Sequence, residues 1–448
     1  MAAAELSPPP GTDRRRFLQL LTAAVAGLGG GALFYGPGRS LAAPVRTSAR
    51  IVIAGAGAAG LTAASRLADR LDGASITLID PRQAHLYQPG FTLIAAGLKT
   101  PGYATSTTAE YVARGVDLIQ EGVAEIDPDG NRVVTSSGRS IPYDYLVVAT
   151  GAELNYEAIE GMDVSLIGQH GIGSVYASPD AARATYATMS AFAASGGVGL
   201  FGRPATEMKC AGAPLKYTFI TDDVLRRGGN RDKAQLHYLA PQKSLFSVPI
   251  VAEKVRMLYG DRGVNVHLEH NLAAIDPGRK RATYATPNGN VEMDYDFITV
   301  VPPMRAIAAV RNSPLPWPAG PWGEQGWMEV DRDCLRHQRY PNVFGVGDVA
   351  GVPKGKTAAS VKWMVPVAVE HIVADIAGTT SDAVFNGYTS CPLITRIGRA
   401  MLIEFDYDDN LIQSFPGVVA PLEELWVSWV MKETALKPTY LAMLRGQA

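Results

Sequence analysis

Apolar runs alternate with helical stretches along most of this chain, and several apolar runs end in a turn of small residues. The run Arg50–Ala54 leads into glycine-rich residues 55–60, and a helical pattern then continues to Leu71. Another apolar run follows at Ser75–Ile79. Continuous apolar strands separated by helices are typical of a parallel sheet covered by helices. The pattern therefore predicts an α/β fold.

The first turn has the features of a dinucleotide-binding loop. Gly55, Gly57 and Gly60 permit a tight turn, a close approach of the backbone to a pyrophosphate, and close packing of the following helix. The next strand ends at Asp80, whose carboxylate can accept hydrogen bonds from the adenosine ribose. A glycine turn alone is a weak signal, but its place after one strand, with the acid after the next, predicts dinucleotide binding.

Two later turns indicate that this dinucleotide is FAD. Apolar strands close on small residues at Gly151 and at Gly347. Gly347 lets the backbone approach the cofactor, and Asp348 can accept from a ribityl hydroxyl, although an aspartate here could also cap a helix. A helix predicted from near Thr357, with Lys356 beside it, would direct its N-terminus at the part of the flavin that becomes negative on reduction.

A second α/β unit carries a cysteine where a nicotinamide-binding turn would lie. A strand at 198–201 is followed by a loop and by a helix from about Ala213, but the glycines are wrongly spaced and Lys209 and Cys210 occupy the loop. The strand at 235–239 ends without the acid or arginine that a nicotinamide ribose requires. A lysine and a helix N-terminus both stabilise a thiolate, so the segment favours sulfur chemistry over NADH oxidation.

These motifs predict a discontinuous FAD domain of residues 45–165 plus 292–385, interrupted by the second unit at 166–291. A C-terminal region, 386–448, completes the chain. Its segments 422–431 and 440–444 place apolar and aromatic residues at helical spacing. Such a stripe indicates either core packing or contact with a membrane interface and a quinone.

Composition excludes some classes of function. The chain has 448 residues, of which 47% are hydrophobic, so it can bury the cores of two or three domains. A net charge of −2 and the absence of a basic stripe argue against nucleic-acid binding, which needs positive charge to contact phosphates. His267 and His270 are predicted to lie on a strand and the loop after it, with no third ligand nearby, which favours surface histidines and no metal site.

Three cysteines, Cys210, Cys334 and Cys391, are too few for a disulfide scaffold in a chain of this size. Each is either inert or a working thiol. Cys391 is predicted to lie in a turn-rich loop before a strand at 393–397, and the residues alone leave its pairing with Cys210 open. Cys334 is interpreted as structural.

The first 42 residues read as an export signal. Arg14-Arg15-Arg16-Phe17-Leu18 precedes a mildly apolar run at 20–35, and 40–42 offers a small-residue cleavage site. This predicts a twin-arginine signal peptide, suited to proteins exported folded with their cofactor, and a location at the periplasmic face of the cytoplasmic membrane. An uncleaved anchor is the alternative. The rest of the sequence has no segment apolar and long enough to span a bilayer.

Several segments together resemble the sulfide:quinone oxidoreductases, specifically the type II branch that includes the mitochondrial enzymes. The likeness runs from about residue 50 to residue 446, and the two cysteine motifs are its most specific part. The segments that carry it are 85–93 (HLYQPGFTL), 208–216 (MKCAGAPLK), 301–304 (VPPM), 339–348 (RYPNVFGVGD), 356–359 (KTAA), 387–393 (GYTSCPL) and 404–407 (EFDY).

The resemblance implies a glutathione-reductase-like flavoprotein with two Rossmann-like domains, FAD, a Cys210–Cys391 pair beside the flavin, and quinone on the other ring face. It implies that Cys391 carries a persulfide and Cys210 attacks the flavin, with the reverse assignment open. Lys356 and Lys432 match the lysines expected to stabilise reduced FAD. It also implies peripheral membrane attachment, although the final amphipathic stretch of the type II enzymes is not found here.

Other functions stay open from the sequence. The twin-arginine signal is shared with the flavoprotein subunits of periplasmic flavocytochrome c sulfide dehydrogenases, which would make a cytochrome c the electron acceptor. An NADH:quinone dehydrogenase is disfavoured by the missing nicotinamide turn, and a flavin-bearing redox sensor without turnover is a further alternative. The sequence leaves open the oligomeric state and the sulfur acceptor, for which sulfite, glutathione, cyanide and polysulfide all qualify. No local feature favours covalent FAD.

Overall fold

The computed structural model describes residues 43–417 and 419–448. The predicted signal peptide, residues 1–42, lies outside the described residues.

A five-stranded parallel sheet, here called the first sheet, forms the core of the FAD domain. The helix Ala58–Arg70, here called the cofactor helix, follows its central strand, and the helix Ala358–Ile376 packs against the cofactor helix. An antiparallel three-stranded sheet, residues 123–142, extends this unit. In spatial order the strands of the first sheet are Val343–Gly345, Tyr145–Val148, Arg50–Ala54, Ser75–Ile79 and Val116–Ile119, and those of the antiparallel sheet are Ser140–Pro142, Arg132–Thr135 and Val123–Asp127.

A second five-stranded parallel sheet forms the other Rossmann-like unit. The helix Ala213–Arg227, here called the cysteine helix, follows its central strand. The helices Pro179–Ser195 and Pro249–Asp261 belong to the same unit. In spatial order the parallel strands are Ile172–Gly173, Phe297–Thr299, Gly197–Gly202, Ala234–Ala240 and Val264–Leu268, and an antiparallel sheet adds Asn271–Asp276, Arg281–Thr286 and Gly289–Asp294.

The predicted boundary at residue 291 is wrong. The strand Phe297–Thr299 pairs with Gly197–Gly202 and Ile172–Gly173, so the second unit continues to residue 299 before the chain returns to the first. The error arose because pairing partners distant in sequence decide which sheet a short apolar strand joins. The predicted start of the second unit at residue 166 is compatible with these sheets, as are the other predicted domain boundaries. The strand pairing does not fix them.

The C-terminal region consists of a hairpin and a run of short helices. The hairpin pairs Thr389–Arg396 with Arg399–Phe405, so Cys391 lies within a strand and not in the loop that was predicted. The strand begins at Thr389, so the segment 387–390, which was predicted to be part of the loop, overlaps its first two residues. Helical segments follow at Trp426–Val430, Met431–Ala435 (a π-helical turn) and Leu436–Leu444.

Short elements connect these units. Within the described ranges, no helix is long and apolar enough to cross a membrane. The short strands are Val45–Arg46, Leu71–Asp72, Ala84–Leu86, Thr105–Thr107, Glu153–Leu154 and Met304–Arg305, the short α-helices are Phe91–Ala95, Ala308–Arg311 and Gly320–Glu324, and the 3₁₀ turns are Gln88–Gly90, Pro101–Ala104, Thr108–Tyr111, Tyr156–Ala158, Val164–Leu166, Arg231–Lys233 and Gly347–Val349.

Candidate active site

The predicted dinucleotide loop has the geometry of a phosphate-binding turn. Gly55 has φ +105°, a conformation that side chains disfavour. A Cβ on Gly60 would lie 1.7 Å from the carbonyl oxygen of Gly55, so only glycine lets the cofactor helix pack this closely. Gly57 lines a long cavity, directly before the N-terminus of that helix. The loop can therefore bring backbone N–H groups to a pyrophosphate.

Asp80 has different neighbours from those expected. Its side chain is 3% exposed, and it is not among the residues that line the cavity. One carboxylate oxygen accepts from the backbone of Ala56 at 2.7 Å, and Arg82 donates to both oxygens through its backbone N–H and its guanidinium. Burial raises the pKa of Asp80, but these bonds and the charge of Arg82 outweigh it and hold the pKa below its ordinary value.

Arg82, which the sequence analysis missed, is the charged side chain that lies beside the dinucleotide loop. Its guanidinium lies 3.8 Å from the Cβ position of Gly57 and lines the cavity. Asp80 therefore orients Arg82, and Arg82 presents a cation to the dinucleotide loop. The pair Asp80-x-Arg82 directly after a strand was the available signal.

The cavity continues past Gly151, Gly347 and Asp348, as the order of motifs predicted. Gly151 and Gly347 have φ of +73° and +76°, which glycine adopts without strain. Three hydroxyls of cavity-lining residues, those of Tyr87, Thr92 and Thr150, are buried without a hydrogen-bond partner within the described chain. A glycine-lined cavity with spare hydroxyls and a helix N-terminus at the phosphate end fits an extended dinucleotide such as FAD.

Lys356 lies under the Asp348 turn. Its ammonium donates to the carbonyls of Asp348, at 2.6 Å, and Ala350, at 2.9 Å, and lies 3.9 Å from the ring centre of Trp327. Burial lowers the pKa of Lys356 to about 8, partly offset by Asp348. Burial likewise raises the pKa of Asp348. Lys356 lines the cavity, and its two hydrogen bonds hold the Asp348 turn in place.

Cys210, from the second Rossmann-like unit, and Cys391, from the C-terminal hairpin, lie next to each other in the structure. The thiols lie within hydrogen-bond contact of each other. Cys210 has φ +51°, and its N–H donates to the carbonyl of Lys356 at 2.9 Å, which ties the cysteine loop to the FAD domain. A Cβ on Gly212 would lie 2.2 Å from the sulfur of Cys391, so the start of the cysteine helix has room for that sulfur only because residue 212 is glycine.

Lys216, and not the flanking Lys209, is the lysine that contacts the thiols. Its ammonium lies 3.6 Å from the sulfur of Cys210, and its side chain is 3% exposed. Hydrogen bonding from Cys391 and the charges of Lys216 and Lys432 outweigh burial and hold the pKa of Cys210 well below its ordinary value. The pKa of Cys391 is raised because that thiol donates to Cys210 and is buried.

Lys432 completes the cationic surroundings of the pair. Burial, followed by repulsion from Lys216, lowers the pKa of Lys432 to about 7. Its ammonium donates to the carbonyl of Pro89 at 2.6 Å, and the residue lines the cavity. Lys216 was visible in the sequence as the one charged residue between residues 213 and 221 of the cysteine helix, but its direction toward Cys210 was not.

The remaining candidates lie elsewhere. The backbone N–H of Cys334 donates to Asp331, and burial raises the pKa of the Cys334 thiol, the opposite direction to that of Cys210. The ring nitrogens of His267 and His237 lie 2.9 Å apart, a neighbour that the sequence analysis did not foresee for His267. Across residues 43–417 and 419–448, no three His, Cys, Asp or Glu side chains are arranged to hold a metal ion.

Comparisons with known proteins agree with this geometry. The model of the pyridine nucleotide-disulphide oxidoreductase family matches residues 49–202. The mitochondrial sulfide:quinone oxidoreductase of Dictyostelium discoideum is 36% identical over 82% of this chain and 80% of its own, and that of Mus musculus is 34% identical over the same shares. The crystal structure of the sulfide:quinone oxidoreductase from Aquifex aeolicus superposes with a TM-score of 0.72 at 22% identity, covering 90% of this chain and 92% of that one, which shows a shared fold.

Proposed function

Because this chain belongs to the sulfide:quinone oxidoreductases, we propose that Cys210 and Cys391 are its redox-active pair. The enzyme is an FAD-dependent oxidoreductase that oxidises sulfide and passes the electrons to quinone. The alternatives that the sequence left open, a haem-partnered sulfide dehydrogenase, an NADH dehydrogenase and a redox sensor, are not favoured by these relatives. The observation that carries the proposal is the contact of two thiols, under a buried lysine, beside a cavity that fits FAD.

The unequal environments of the two sulfurs support different roles for them. In thiol–disulfide exchange the thiol with the lower pKa is the better leaving group. Hydrosulfide therefore attacks the sulfur of Cys391 in the oxidised pair. A new S–S bond forms, the Cys210–Cys391 bond breaks, and Cys210 leaves as a thiolate that the Lys216 ammonium stabilises. Cys391 then carries the persulfide, as the family resemblance implied.

The cycle closes when the sulfur is removed and the pair is oxidised again. A nucleophilic acceptor takes the outer sulfur of the Cys391 persulfide and leaves the Cys391 thiol. Oxidation of the two cysteines back to a disulfide then releases two electrons and a proton. Cys210 lines the cavity and Cys391 does not, so Cys210 is the cysteine that faces the cofactor.

Bound FAD would supply the two-electron carrier between the cysteine pair and quinone. The chain's own residues hold it: the glycine turn at 55–60 and Arg82 at the phosphates, and Gly151, Gly347 and Asp348 further along the cavity. Lys356 fixes the Asp348 turn. Lys432 and Lys216 supply positive charge where electrons arrive.

The test is anaerobic titration with sulfide while the flavin spectrum is recorded. Wild-type protein and Cys334→Ser should bleach, and Cys210→Ser and Cys391→Ser should not. Decylubiquinone should then restore the oxidised spectrum of the bleached wild type, whereas cytochrome c should not. Bleaching that persists in Cys210→Ser would show that the pair is not the route of the electrons.

We further propose that the enzyme is exported by the twin-arginine route and attaches to the periplasmic face of the membrane. The support is the motif at residues 14–18 and the half-buried apolar side chains of Leu422, Trp426 and Leu441 in the C-terminal region. Cell fractionation should find the protein with the periplasmic membrane face, and the double variant Arg14→Lys, Arg15→Lys should retain it inside the cell. Flotation with anionic vesicles tests attachment separately.

A further inference from the structure

The C-terminal hairpin separates the cysteine pair from another part of the cavity. In its register Cys391 pairs with Ile403, and Ser390 pairs with Glu404. Since successive side chains of a strand point to opposite faces, Cys391 and Glu404 lie on opposite faces of the hairpin. The Cys391 face packs on the cysteine helix at Gly212, whereas the Glu404 face lines the cavity.

We call the region in front of the Glu404 face the outer chamber. Most of its lining residues are aromatic or apolar, and Glu404 supplies a carboxylate among them. The lining residues are Trp363, Tyr388, Ser390, Pro392, Leu402, Glu404, Ser414, Phe415 and Met431. Flat apolar walls with few polar groups suit a flat, uncharged ring compound such as a quinone.

Glu404 is 4% exposed, and its carboxylate accepts three hydrogen bonds. Ser414 donates to it through its hydroxyl at 2.6 Å and its backbone N–H at 3.2 Å, and the hydroxyl of Tyr388 donates to the same carboxylate. Burial and the neighbouring Glu404 raise the pKa of Tyr388, so this phenol stays a donor. A buried carboxylate is costly to maintain, and neither the cysteine chemistry nor the FAD cradle uses this one.

Quinone reduction needs protons inside the cavity as well as electrons. We propose that the outer chamber holds the quinone ring and that Glu404 delivers a proton to a quinone oxygen. The quinone takes two electrons and one proton from the reduced cofactor and the second proton from the Glu404 carboxyl, which regains a proton from water. The inference rests on the proposed function, since it requires that sulfide has already reduced the flavin.

Other titratable groups surround the chamber and set the controls. Tyr388 belongs to the hairpin, Lys362 to the helix Ala358–Ile376, and Lys432 to the C-terminal helices. From the following loop, Asp409 pairs with Lys354 at 2.8 Å, and that lysine lies against Phe405. Slow reoxidation is assigned to Glu404 only if the variant still binds quinone and is still bleached by sulfide.

The experiment separates the two half-reactions of the FAD-loaded enzyme by stopped flow. Glu404→Gln should be bleached by sulfide at the wild-type rate, whereas its reoxidation by decylubiquinone should be roughly 10²-fold slower.

Two controls distinguish proton delivery from a structural role. Glu329→Gln changes another buried carboxyl, outside the cavity, and should leave both half-reactions unchanged. Decylubiquinone should quench the tryptophan fluorescence of the oxidised Glu404→Gln protein with wild-type affinity. Wild-type reoxidation rates in Glu404→Gln, or a loss of quinone binding, would overturn the proposal. If the wild type itself is not bleached by sulfide, the proposed function fails first, and that result is distinguishable from failure of Glu404 alone.

Discussion

Replacing Lys216 with methionine removes the cation nearest to Cys210 while keeping a similar apolar stem. The ammonium lies 3.6 Å from the Cys210 sulfur. At an effective dielectric constant of about 20, two unit charges at this distance attract by about 4.6 kcal/mol, an upper limit of about three pKa units. Because Lys432 stays in place, we expect Lys216→Met to raise the pKa of the Cys210 thiol by roughly one to three units.

The assay is the pH dependence of alkylation of the reduced enzyme by iodoacetamide, followed at Cys210 in a Cys391→Ser background. The thiolate is the reactive form, so the alkylation rate rises with pH through the pKa of Cys210. Lys216→Met should move this rise to higher pH, and Lys216→Arg should restore most of the wild-type profile. Lys209→Met should have the smaller effect, although Lys209 is the sequence neighbour. An unchanged profile in Lys216→Met, or a larger shift in Lys209→Met, would refute the reasoning.

Three further outcomes follow from the geometry of the site. Gly212→Ala places a Cβ 2.2 Å from the sulfur of Cys391, so we expect normal FAD content but loss of sulfide bleaching, measured on the same sample. Arg82→Met should weaken FAD binding to the apoprotein by roughly tenfold to a hundredfold, as for the loss of a charge-assisted hydrogen bond, with little change in the affinity for FMN; equal losses for both flavins would contradict a contact with the adenylate half of FAD, which FMN lacks. Cys334→Ser should leave turnover and melting temperature within error, and a marked loss of either would show that this thiol matters.

Local patterns were enough to predict the two sheets and the FAD cradle. The glycines at 55–60 and at 347 act through backbone geometry that neighbouring residues set, so their roles can be read along the chain. The surroundings of Asp80 could not be read in this way. Its contact with Arg82 depends on the direction of both side chains, which the sequence does not fix. The strand that holds Cys391 was predicted to start at residue 393 instead of 389 for a related reason: pairing with residues 399–405, distant from the local pattern, sets where it begins.

The residues around the sulfurs show where sequence reasoning ends. Lys209 flanks Cys210, but the chain turns through a positive φ at Cys210, and the lysine that reaches the thiol comes from the first turn of the next helix. Glu404 belongs to the segment EFDY, but its role is not visible in the sequence. Its burial and its partner Ser414 depend on how a loop folds back onto the hairpin.

The hydrogen bond from Cys210 to Lys356 has a consequence for how this enzyme receives electrons. In a flavoprotein with two nucleotide sites, the reductant is a separate molecule that must find its cleft, bind and depart in every cycle. In the proposed cycle the immediate reductant is part of the polypeptide, and the backbone of Cys210 is hydrogen-bonded to Lys356, which lines the cavity proposed for the flavin. Its effective concentration is therefore set by the fold, and the only molecule that must diffuse to the sulfur site before electrons can flow is as small as hydrosulfide.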